Sequence, residues 1–156
     1  MIVMNTIILF LLSIIIVTAL IGRLSFMEWK KKNTDGTFNE YINGSNMTRK
    51  GVMVGMTSGL IFGFIDNFGL FTGMEILDPI LKLLPGAGDP NVFAGYGNTF
   101  SDMVGAFLGT FGGRYVADRF NEDEYPMWSE AVGVFIGCLV GILAGKLVQS
   151  ATKKSS

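Results

Sequence analysis

The sequence predicts an all-α integral membrane protein, with four transmembrane helices packed through glycine ladders. Three observations predict it. Hydrophobic residues make up 49% of the 156-residue chain and charged residues only 16%, too little polar surface to cover a water-soluble globule of this size. The charges cluster in blocks between apolar runs of about 20 residues, the length a helix needs to cross about 30 Å of hydrocarbon. Glycine recurs at every fourth position in three of those runs. The chain 1–156 reads as one membrane domain with helices over 1–22, 51–74, 92–113 and 131–150, a soluble loop at 23–50 and an interfacial loop at 75–91.

The first segment, 1–22, carries no charge and is rich in Ile and Leu. A cleavable signal peptide wants a basic stretch before its apolar run and a small-residue cleavage site after it. Here the positive charge comes only afterwards, at Arg23 and Lys30 to Lys32, so the segment reads as an uncleaved anchor. Trp29 follows it at a depth that suits the headgroup layer. The second segment is interrupted only by Asp66 and the third only by Asp102, while the fourth carries Lys146 near its end, where a long side chain reaches the interface. Tyr125 and Trp128 precede that last segment as further interfacial aromatics.

Between the second and third segments lies "EILDPILKLLPGAGDPN". Asp78 before Pro79 has the pattern of an N-cap followed by a first-turn proline, so a short interfacial helix is expected over "ILKLL". Pro85-Gly86 and Asp89-Pro90 then read as turn punctuation. "RYVAD", Arg114 to Asp118, has the i, i+4 spacing of a helix-end ion pair.

Eight of the twelve Lys and Arg residues fall in the loops at 23–50 and around 114–128. The positive-inside rule therefore puts those loops in the cytosol and both termini outside. The sequons at Asn43 and Asn46 point the other way, since glycosylation needs a lumenal loop. The charges are followed here.

The ladders are Gly51, Gly55, Gly59 and Gly63; Gly105, Gly109 and Gly113, with Gly97 and Ser101 in the same register; and Gly133, Gly137, Gly141 and Gly145. Four residues advance a helix by about 400°, so successive members sit only about 40° apart and form a groove without side chains. In lipid, helices associate through close backbone approach rather than hydrophobic force, which small residues permit. A compact trio of the last three helices is expected. A ladder left over from internal packing would drive association with other copies or other proteins.

Asp66, Asn67, Asn98 and Asp102 are the polar residues inside the apolar segments, at similar depth on antiparallel neighbours. Polar side chains at that depth are functional candidates by default. Four readings compete: interhelical hydrogen bonding, an ion or proton path, an intramembrane aspartyl protease with two carboxylates sharing a proton, and a solvated interface. The protease reading lacks its Gly-x-Gly-Asp pattern, since Asp102 stands in "TFSD". The structural reading leads.

Composition excludes much else. The net charge is -1, there is no His, and Cys138 is the single cysteine, so nucleic-acid binding, His-based catalysis and a Cys-rich metal site have no residues to carry them. No catalytic residues, metal site or cofactor are expected, and the protein is read as non-enzymatic. The lipid bilayer and other membrane proteins are its expected partners, in a homo- or hetero-oligomer.

The four-span, glycine-laddered plan is similar to the mitochondrial inner-membrane import channel family, whose Arg-x-x-x-Asp signature Arg114 and Asp118 match. The family's aromatic position falls on Met103 and its glycine pair near Tyr125 and Pro126, so the similarity is one of architecture. "GFIDNFGLFTGMEILDP" and "GNTFSDMVGAFLGTF" resemble small membrane proteins of large icosahedral DNA viruses with an internal lipid layer. That resemblance implies a minor capsid or inner-membrane component tying lipid to shell, in the virion or in host endomembranes. The runner-up is a small channel or translocase subunit with Asp66 and Asp102 in a polar path.

Overall fold

A computed structural model describes residues 2–44, 47–122 and 124–154, the side chains of 2–6, 71–76 and 152–154 excepted. The sequon at Asn46 lies outside the described residues. The chain is all-helical, at 85% helix, with no strand among the described residues. It divides into two compact units, Met1–Ser45 and Asn46–Ser156.

The first unit holds α1 (Ile2–Lys32) and α2 (Phe38–Asn43). The helix runs past the expected end at residue 22, because "RLSFMEWKKK" contains no breaker and closes on three lysines that suit a helix C-terminus. Within the stretch expected as a soluble loop, α2 begins at a capping box. The Glu40 amide donates to Thr37 Oγ1 (3.2 Å) and the Thr37 amide to Glu40 Oε2 (2.7 Å). The short helix turns back onto α1 through rings. Phe26 meets Phe38 edge-on at 5.3 Å between centroids, and Tyr41 lies 5.6 Å from Trp29. The Tyr41 hydroxyl also donates to Ser25 Oγ (2.6 Å). The apolar side chains of α1 over residues 7–21 are exposed, with Leu9 at 67% and Ile16 at 64%.

The second unit holds α3 (Arg49–Leu81), α4 (Pro90–Phe120) and α5 (Met127–Lys154). α3 packs against both others, and among the described residues α4 and α5 do not meet. The expected trio is thus a layer with α3 in the middle. Ser101 faces Asp66 and Gly109 faces Ser58, so α4 runs antiparallel to α3. Gly51 faces Glu124 and Gly141 faces Phe64, so α5 runs parallel to it.

Two Asp-Pro pairs exchange the parts expected of them. Asp89, read as turn punctuation, is the N-cap of α4; its carboxylate accepts from the Asn91 amide (2.7 Å), and Pro90 stands in the first turn. Asp78 caps nothing. α3 continues unbroken through Pro79 to Leu81, so part of the segment expected as an interfacial loop is helix. The Asp78 carboxylate instead pairs with Lys82 one turn on (2.6 Å), and the proline removes only one ladder donor near the helix end. Gly86, at φ 77°, makes the turn that follows.

Among the described residues, three helices are long and apolar enough to cross a membrane: Ile7–Lys32, Arg49–Leu70 and Met127–Ala151. α4 is as long, but Asn98, Thr99, Ser101, Asp102, Thr110 and Arg114 lower its apolar character.

The interior of the second unit is made of its smallest residues. Its buried positions include the ladder glycines, Ser101, Ser129, Val54, Pro126 and Leu81. The large side chains point away, with Phe107 at 64%, Phe135 at 65% and Leu147 at 71% exposure. This inverts the order of a water-soluble core.

Candidate functional site

α3 and α5 approach each other backbone to backbone. A Cβ added at Gly59 would strike the Glu130 carbonyl oxygen and lie 2.7 Å from the Val134 nitrogen; one at Gly63 would strike the Val134 carbonyl oxygen. At Gly51 it would stand 2.8 Å from the Glu124 oxygen, and at Gly55 it would enter the Ser129 hydroxyl. α5 answers in kind. A Cβ at Gly133 would meet the Met56 carbonyl oxygen, one at Gly137 the Leu60 oxygen, and one at Gly141 the Phe64 oxygen at 2.7 Å. Gly145 is buried in the same register.

A carbonyl therefore stands where six of these glycines would carry a side chain. In its place each glycine directs a Cα hydrogen at that oxygen, the arrangement of a weak Cα–H···O contact, about 0.5–1 kcal/mol each. The α4 ladder meets a different surface. Cβ atoms at Gly105, Gly109 and Gly113 would lie 3.0 Å from the Phe62 oxygen, 2.8 Å from the Ser58 oxygen and 3.0 Å from Ser58 Cβ. All three ladders thus face a helix of the same chain. α3 is central and offers two faces, so each flanking ladder has an internal neighbour.

Asp66, Asn67, Asn98 and Asp102 lie where α3 meets α4. Ser101 Oγ donates to Asp66 Oδ1 (2.9 Å), and Asn67 Nδ2 reaches Asp66 Oδ2 and the Gly63 carbonyl, both at 3.3 Å. Asn98 Nδ2 donates to Asp102 Oδ2 (2.8 Å) one turn along α4. Asn67 also reaches the third helix, since a Cβ at Gly141 would lie 3.2 Å from Asn67 Cβ. Asp66 and Asn67 thus link α3 to α4 and α5 respectively. Ser101 belongs both to the ladder register and to the polar group that opens the third segment, and its hydroxyl makes the cross-helix bond.

A third feature escaped the sequence reading. On one side of α3, the gap between α4 and α5 forms two adjoining cavities of about 450 and about 240 Å³ that share Ser58, Thr110 and Glu130. Ser58 Oγ donates to Glu130 Oε1 (3.3 Å). Arg114 lines the outer cavity. The ion pairs among the described residues are Lys31–Glu28 and Lys82–Asp78, so Arg114 and Asp118 do not form the expected one.

No family model, curated protein or solved structure matches this chain. Geometry alone therefore carries the functional argument. The carboxylates of the polar cluster are engaged by Ser101, Asn67 and Asn98, and what this arrangement accomplishes is to tie three helices together.

Proposed function

We propose that the protein is a non-catalytic, structural membrane component with four spans, whose glycine faces hold α3, α4 and α5 together in the bilayer in the manner of small-xxx-small packing. The observation that carries this is the inverted core, with backbone against backbone inside and large apolar side chains outside. α4 is the fourth span. It lies along α3 at the same depth, turns its glycines and Ser101 inward, and presents Met103, Phe107 and Phe111 outward at 56%, 64% and 60% exposure. Of its polar residues Ser101 is buried and Asp102 half-buried, whereas Asn98, Thr99, Thr110 and Arg114 are exposed. α1, whose apolar side chains over residues 7–21 are exposed, supplies the surface for lipid and for other membrane proteins in an oligomeric assembly. The viral resemblance gives that assembly a setting, an internal membrane beneath a capsid.

Resistance to extraction by alkaline carbonate tests membrane integration, and release into the soluble fraction would refute it. Purified protein in liposomes tests the structural role against the channel reading. No ion flux above empty vesicles is expected; flux abolished by Asp66→Asn with Asp102→Asn would replace the structural reading with a polar path.

A further inference from the structure

We propose that the groove between α4 and α5 binds one phospholipid whose headgroup carries a primary ammonium, with the phosphate on Arg114 and the ammonium on Glu130. This rests on the membrane reading above. The two cavities are of the size that holds small ligands, roughly 300–1000 Å³ together, and they form one trough floored by α3.

Each of the three helices contributes a polar residue to the middle of that trough and an apolar one to its inner end. α3 passes from Ser58 to Phe62, and antiparallel α4 from Arg114 through Thr110 to Ala106. α5 passes from Glu130 to Val134. Arg114, Thr110, Ser58 and Glu130 therefore form a polar band, with Phe62, Ala106 and Val134 one turn inward, about 6 Å per four residues, and Val54 and Ala117 on its outer side. Glu130 lies in the first turn of α5, which puts this band at headgroup depth. A phospholipid laid along the trough would put its headgroup on the band and an acyl chain along the inner apolar side.

The charges choose the headgroup. Arg114 and Glu130 stand on opposite walls, one of each sign. Among the described residues no hydrogen bond or ion pair holds the Arg114 guanidinium, and Glu130 accepts only from Ser58, through one of its two oxygens. An anionic lipid would satisfy the arginine and meet the glutamate with like charge. A zwitterion satisfies both. A primary ammonium can also donate hydrogen bonds to the free carboxylate oxygen, which a quaternary choline cannot, and charge-assisted bonds of that kind are about twice as strong as neutral ones.

The test is native mass spectrometry of the full chain in mild detergent, offered equimolar dioleoyl phosphatidylethanolamine, phosphatidylcholine and phosphatidylglycerol. One retained phosphatidylethanolamine per chain is expected, at least tenfold over either competitor. Glu130→Gln should erase its preference over phosphatidylcholine, and Arg114→Gln should lower retention of both several-fold. A series of N-methylated phosphatidylethanolamines on the unaltered protein should bind progressively less well, a readout independent of any variant's folding. Equal retention of the three lipids, preferential phosphatidylglycerol, or indifference to N-methylation would overturn the proposal. Carbonate extraction of the same protein separates the two levels: a carbonate-resistant protein without lipid preference refutes the lipid site alone, whereas carbonate release refutes the membrane reading beneath it.

Discussion

Gly137→Ala adds a single methyl group at the seam between α3 and α5. Its Cβ would stand 2.9 Å from the Leu60 carbonyl carbon and the Phe64 nitrogen, and nearer still to the Leu60 oxygen. These are backbone atoms, which cannot turn aside by changing rotamer, so the helices must separate by about half an ångström or more before ordinary contact is restored. If three turns of seam hold on the order of 40 atom pairs at about 0.15 kcal/mol each, a gap of about 0.5–1 Å forfeits roughly 1.5–3 kcal/mol. That agrees with the range of about 1–3 kcal/mol for overpacked interiors. Against it, Ala is the better helix former by about 1 kcal/mol. A net loss of roughly 0.5–2 kcal/mol follows for Ala, and about 3 kcal/mol for Leu, which at about 4 °C per kcal/mol lowers the melting temperature by about 12 °C.

The protein carries its own probe. Cys138 is the single thiol, and its sulfur would lie 3.0 Å from a Cβ at Gly63, across the same seam. Thermal unfolding in detergent, followed with a dye that fluoresces on reacting with a thiol, therefore reports the parting of α3 from α5. The control is Gly95→Ala on α4, where nothing stands within 4 Å of the added Cβ; only the propensity gain of up to about 1 kcal/mol remains there. The two substitutions are chemically identical and should differ in sign. A Gly137→Leu protein that melts within about 2 °C of the parent would refute the reasoning.

Other consequences can be measured in the same way. Ser101→Ala removes the donor to Asp66 and should cost about 0.6–1.7 kcal/mol, the range for cross-helix bonds in membranes; an unchanged transition would deny that bond any part in holding α4. Thr48→Ala loses the N-cap bond to the Gly51 amide (2.8 Å) and the bond to Glu122 (2.9 Å), and a loss of about 1–2 kcal/mol is expected from the cap alone. With the loop around α2 in the cytosol, Asn43 stays unglycosylated in a eukaryotic host; a glycosidase-sensitive shift that Asn43→Gln removes would reverse the orientation.

Much of the helical plan was legible because the apolar runs and the spacing of four are properties of the chain order itself. The two Asp-Pro pairs show where legibility stops. Each has the residues of an N-cap and a first turn, and only the carboxylate's actual partner distinguishes them. Asp89 bonds amides ahead of it, whereas Asp78 is taken by Lys82. Arg114 and Asp118 likewise have the spacing of an ion pair without forming one, since spacing permits a pair and surroundings select the rotamer.

The sequence by itself determined that the chain is helical and apolar, and that three of its segments carry a glycine stripe. A stripe is local, fixed by the 3.6-residue turn and by which positions lack a side chain. Which stripe meets which surface is not local. The tertiary structure decided that Gly51 to Gly63 oppose Gly133 to Gly141, that the α4 stripe lies on Ser58 and Phe62, and that Glu130 and Arg114 face one trough from opposite walls. Those pairings join residues far apart along the chain, set by how three long helices share one close-packed contact, and no period within a single helix encodes them.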